Sequence, residues 1–147
     1  MKWIILIIII WLILAALFFR YNPIPSSKVH KDPEEIGVAD NEGGFFVHPT
    51  KGDIESPAYK KSADEIKTAL TEMMLAMGGK QIDSNSDDFI TFEFRSKAFG
   101  FPDFLSVKVI TDKKGKSRPV MYSRLFYGRK DFDVNQKRVE AILSTLN

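Results

Sequence analysis

The residues best suited to chemistry in this chain are arginines set beside hydroxyls, carboxylates and an amide. Arg95 adjoins Ser96, Asp103 follows Gly100-Phe101-Pro102, and Ser123 precedes Arg124. Asp131, Asn135 and Arg138 come next, and Asn135 and Arg138 are spaced to share one face of a helix. A guanidinium presents paired N–H donors that match a carboxylate or phosphate, so a small-anion site is one meaning of the set. A structural meaning carries more weight, because charged clusters commonly organise loops: Asp103 and Asp131 neutralise the arginines and satisfy backbone donors at a tight corner. Arg124 is the odd member, because a guanidinium buried in an apolar strand needs a partner. A third meaning makes Asp103 or Asp131 the acid or base of a hydrolase acting on an envelope substrate, which requires carboxylates at a defined separation in a cleft.

Other chemistries find little support. The chain has no cysteine, which excludes disulfides, thiolate metal sites and thiol nucleophiles. Of its two histidines, His30 falls in a Pro- and Ser-rich stretch and His48 precedes Pro49, and no third ligand is spaced to complete a metal site. Neither histidine is expected to be catalytic, and neither metal nor cofactor is expected. No phosphate-cradling glycine loop or Gly-x-Ser-x-Gly elbow occurs. With 21 basic against 19 acidic residues, the net charge of +2 gives no nucleic-acid footprint.

These side chains need a scaffold, and the hydropathy pattern supplies one. Ser62 and Glu65 form a capping box, after which Ile66, Leu70, Met73, Met74 and Met77 recur at helical spacing until Gly78-Gly79 stops the helix. The period then becomes two. Ile90, Phe92 and Phe94 share one face of a strand over residues 89–96, and Leu105, Val107 and Val109 share one in the next. Residues 112–116 make a hairpin turn into a third strand at residues 120–126, with a weaker edge strand near Lys80 and a short apolar piece at Phe45-Phe46-Val47. Asp133 opens a last helix in capping-box spacing with Gln136, and Val139, Ile142, Leu143 and Leu146 form its apolar stripe. One-sided alternation implies an antiparallel sheet with a single buried face. The expected domain is therefore α+β, a two-layer body over residues 44–147 with two amphipathic helices packed on the sheet.

Ahead of it lies an apolar run at residues 3–19, bracketed by Lys2 and Arg20. As a helix it reaches roughly 26 Å, near the lower limit for a bilayer core, and the flanking charges extend into the headgroups. Ala15-Ala16 is followed by Leu17-Phe18-Phe19, with Leu14 where a cleavage site needs a small residue, so residues 1–20 are expected to stay as an anchor in the bilayer. The positive-inside rule leaves orientation undecided. Residues 21–43, with Pro23, Pro25, Pro33, Gly37 and Gly43, are expected to be an extended linker.

Arg95-Ser96, Gly100-Phe101-Pro102-Asp103, Tyr122-Ser123-Arg124 and the spaced run Tyr127-Gly128, Asp131, Val134-Asn135, Arg138-Val139 resemble the family known as domain of unknown function 1499 (DUF1499). The similarity covers roughly residues 45–146. It implies a bacterial inner-membrane protein with its domain on the periplasmic side, and it supplies no activity. Members often carry Ser-Asp-Leu-Gly-Val-Asn where this chain has Lys130-Asp131-Phe132-Asp133-Val134-Asn135, and Asp133 for glycine fits a helix cap. The expected function is a non-catalytic domain that binds an envelope protein or a small anionic ligand beside the membrane.

Overall fold

The computed structural model describes residues 1–36, 43–82, 88–130 and 132–146. α1 (Lys2–Tyr21) is followed by two single-turn helices, α2 (Ser26–Val29) and α3 (Pro33–Ile36). β1 (Phe45–His48) and β2 (Ile54–Glu55) precede α4 (Ala63–Ala76), and β3 (Lys80–Gln81), β4 (Phe89–Arg95), β5 (Pro102–Thr111) and β6 (Ser117–Leu125) lead to α5 (Val134–Ser144). The strands form one sheet in the order β2-β1-β6-β5-β4-β3. Its pairs are antiparallel except β1 with β2, so the sheet is mixed at one edge.

The expected periodicities form the core. Ser62 caps α4 with the full reciprocal box: its hydroxyl accepts from the Glu65 amide, and the Glu65 carboxylate accepts from the Ser62 amide at 2.8 Å. Ile66, Leu70 and Met74 of α4 pack with Val139, Ile142 and Leu143 of α5 on Phe92, Leu105, Val107 and Met121 of the sheet. Met77 lies beyond this contact and is exposed. α1 is long and apolar enough to cross a membrane, and none of its hydrophobic span is buried against the domain.

Three local expectations change. Asp133 does stand at the N-cap of α5, but it adopts left-handed backbone (φ 64°) and its side chain makes no capping bond. Glycine would take that conformation without steric cost, so Asp133 holds it at some strain. Gln136 does not reach back to the cap and donates to Glu140 at 2.9 Å instead.

The second change concerns the sheet, which is covered on both faces at its centre. β5 buries every position from Pro102 to Val107, and β6 every position from Pro119 to Ser123, on both faces. Phe46, Val120 and Tyr122 form a separate apolar cluster opposite α4 and α5, with Ile36 and Ile110 packed on it.

The covering material is the third change. Residues 26–36, expected to be extended, fold back onto the sheet as α2 and α3. Val29 is fully buried there, a contribution of about 1.5–3 kcal/mol. Asp32 and Glu34 clamp Lys108 of β5 at 2.7 and 2.9 Å, holding its ammonium well above the usual lysine range. The stretch lacks helical periodicity because each helix is one turn long and offers only one or two apolar contacts.

Candidate functional site

Alternation along β6 sends Ser123 and Arg124 to opposite faces, and the candidate residues divide with them. On the helix side, Arg138 of α5 donates to the Asn135 side-chain oxygen at 2.7 Å and to Asp103 of β5 at 3.1 Å. Its guanidinium also lies over the Phe94 ring, 4.5 Å from the centroid. Asn135 is buried, accepts from the Ser123 hydroxyl at 2.5 Å, and donates to the Gly43 carbonyl at 2.7 Å. Asp103, Ser123, Asn135 and Arg138 thus form a closed network tying α5 to β5, β6 and the start of β1. The i, i+3 spacing that suggested a shared face is what lets Arg138 and Asn135 meet. Within this network the arginine has its carboxylate and the amide uses both ends.

Arg124 sits in a different setting. It is half-buried beneath α2, donates to the Val29 carbonyl and to the Ser106 hydroxyl at 3.2 Å, and lies near the Tyr122 ring. Among the described residues no carboxylate pairs with it. Burial lowers its proton affinity, yet a guanidinium starts so high that it stays charged.

The Arg124 contact continues across the sheet as a chain of hydrogen bonds. Ser106 and Thr91 approach to 3.0 Å, and Thr91 lies 3.0 Å from Nδ1 of His30. Both hydroxyls are fully buried. Arg124 can only donate, so the direction that satisfies both hydroxyl protons runs from Ser106 to Thr91 and from Thr91 to Nδ1 of His30. His30 then carries its proton on Nε2, a buried atom with no partner among the described residues. The ring stacks on Phe89 at 4.1 Å. Burial first, and the Arg124 charge second, hold the imidazole below its usual range and so keep it neutral.

His30 and Arg124 line a common cavity of about 780 Å³, together with Lys31, Asp32, Tyr122 and Phe89. Glu35 and Asp88 stand at its solvent-exposed rim. The cavity therefore offers a cationic fork, with Asp32 of its lining already paired to Lys108 and two further carboxylates at the rim. Such a site suits one compact anionic or carbonyl group and disfavours an extended polyanion.

Arg95 belongs to neither cluster. It pairs with Glu93 and donates to the carbonyls of Phe19 and Asn22 at the end of α1. Asp131 lies outside the described residues. His48 makes a turn, its Nδ1 accepting from the amides of Thr50 and Lys51 at 3.1 and 3.2 Å. The expected set of Arg95, Asp103, Ser123, Arg124, Asn135 and Arg138 is thus distributed over three places, and only Arg124 lines the cavity. Sequence reasoning missed His30, Thr91 and Ser106. The alternation of Thr91 and Ser106 with apolar neighbours reads as a solvated face unless the covering segment is known, and His30 beside buried Val29 was the one signal of that cover.

No curated protein matches this chain. The model of a family described as protein of unknown function (DUF1499) matches residues 27–146, and so begins within α2 and takes in His30. With most of its length inside that match, the chain belongs to the DUF1499 family.

Proposed function

We propose that this protein is a membrane-anchored binding domain of the cell envelope whose cavity beneath α2 and α3 takes a small ligand through a carboxylate or phosphate group. The observation that carries this is Arg124: a half-buried guanidinium without a carboxylate partner among the described residues, lining an open cavity. A charged donor in a concave, partly apolar site is a usual feature of a ligand pocket. The anchor, α1, confines any target to the neighbourhood of the bilayer. The resemblance to bacterial inner-membrane proteins favours the periplasmic side.

Binding without catalysis is favoured by the state of the carboxylates. Asp103 is held by Arg138, which removes the free carboxyl that a general acid or base requires. His30 is neutral but spends Nδ1 as an acceptor inside the sheet and keeps Nε2 buried, so neither ring nitrogen is presented as a base.

The test is a thermal-shift titration of the full chain in lipid nanodiscs with inorganic phosphate and with acetate. A concentration-dependent rise in Tm that vanishes in Arg124→Met supports the proposal. An equal rise in Arg124→Met, or none in either protein, refutes a phosphate or carboxylate site there.

A further inference from the structure

The end of α1 does not hang free of the domain. Arg95 pairs with Pro102, and Asp103 with Leu125, so the β4–β5 corner and the exit from β6 lie at one end of the sheet. α1 terminates against that end. The Phe19 ring lies 4.6 Å from Phe101 and 5.2 Å from Tyr127, and Arg20 donates to the Lys97 carbonyl at 2.7 Å. Pro23 has no N–H to close the last turn on the Phe19 carbonyl, and Arg95 supplies the donor instead. Gly100, in left-handed backbone, allows the close approach, because a Cβ there would come within 2.8 Å of the Arg20 backbone.

Around this junction the domain shows an apolar surface. Phe132 is 86% exposed, Phe99 45% and Val134 46%. Phe101, Leu125, Tyr127, Phe132 and Val134 line an open groove of about 410 Å³. Phe132 also occupies left-handed backbone (φ 53°), an uncommon conformation for a bulky side chain, with its ring in the open. Lys97, Arg129 and Lys130 are exposed around the rings, and Asp133 beside Phe132 is also exposed. Aromatic rings interleaved with cations have the composition of a surface that enters the boundary between headgroups and acyl chains.

We propose that this end of the domain is a lipid-docking lip. The occupant is the bilayer that α1 crosses, so the inference rests on α1 being a membrane span. α1 is about 30 Å long, the thickness of a bilayer core, which brings Phe19 and Arg20 to the interface. The contacts of Phe19 and Arg20 then set Phe99, Phe101 and Phe132 at the same level, with Lys97, Arg129 and Lys130 facing lipid phosphates. The domain is seated on the membrane rather than held away from it.

Because the chain lacks cysteine, single nitroxide labels are unambiguous. The full chain is reconstituted in phosphatidylethanolamine–phosphatidylglycerol vesicles with labels at Phe99→Cys, Phe132→Cys, Lys114→Cys and Leu14→Cys. Lys114 lies in the hairpin about 30 Å from the lip along β5, and Leu14 lies within α1. The proposal expects the ratio of oxygen to nickel-chelate accessibility at positions 99 and 132 to be several-fold above that at 114. Labels at 99 and 132 as aqueous as the one at 114, with 14 buried in lipid, overturn the lip and leave the anchor standing. Low access of both reagents at 99 and 132 also overturns it, since that marks a protein partner or a second copy. An aqueous label at 14 removes the anchor and the lip with it.

Discussion

Ser123 and Arg124 are neighbours in one strand, yet they face two differently built polar sites. On the Ser123 side, Arg138 finds Asp103, Asn135 uses both ends of its amide, and α5 closes over the group. On the Arg124 side, the cover is two single-turn helices, the guanidinium finds only neutral acceptors among the described residues, and a cavity remains. The comparison teaches that the same residue type does different work depending on what covers it. A long helix delivers side chains at fixed spacing and completes a network. A short, aperiodic cover leaves donors over, and leftover donors are what a ligand recognises.

The contrast breaks if the two arginine settings respond alike to mutation. Asp103→Asn should cost about 3 kcal/mol in a denaturant titration, toward the low end for stranding one partner of a buried ion pair, because both side chains keep a little solvent contact. Arg124→Met should stay within about 1 kcal/mol, since the loss of hydrogen bonds to neutral groups is offset by removal of an uncompensated charge. Equal losses would mean that Arg124 is structural in the same sense as Arg138.

A smaller effect sharpens the role of the cover. Lys108→Met removes the clamp on Asp32 and Glu34, which is partly exposed and so worth only about 0.5–1 kcal/mol. Hydrogen exchange should speed up in α2 and α3 while α4 and α5 stay protected. Uniform exchange would show that the cover and the core open as one unit.

The smallest effect is on pH dependence. The folded imidazole of His30 binds its proton less tightly than the unfolded one, so acid favours unfolding. Its contribution is fully present above about pH 6.5 and is lost as pH falls from there through the depressed folded value. His30→Gln should flatten the stability curve between about pH 7 and pH 5 in urea midpoints, relative to the parent. An unchanged slope would mean that the imidazole is solvated in the folded chain.

Legibility in the sequence followed the regularity of each element. The capping box at Ser62, the stripe from Ile66 to Met74 and the alternation of Ile90, Phe92 and Phe94 all reappear in the core, because period and burial are one constraint. The Asn135–Arg138 pair was legible for the same reason. Residues 26–36 were not, because they follow Pro23 and Pro25, contain Pro33, and take their order from contacts with β4, β5 and β6 rather than from their own period. Losing the cover meant losing the site, since Thr91 and Ser106 look like solvent-facing residues until α2 lies over them. Arg95 and Arg124 stood out as charges without showing which face each would take, or that one meets the end of α1.

The central claim is that the Arg124 guanidinium faces a cavity ready for an acceptor group, beside a neutral His30 that carries its proton on buried Nε2. Side-chain ¹⁵N spectra of histidine-labelled full chain in nanodiscs test it directly, with His30→Gln separating the two imidazoles. The expected spectrum shows His30 neutral at pH 7, protonated at Nε2, with that resonance moving on addition of inorganic phosphate in the parent and not in Arg124→Met. A proton on Nδ1, or an Nε2 resonance indifferent to phosphate, would contradict it.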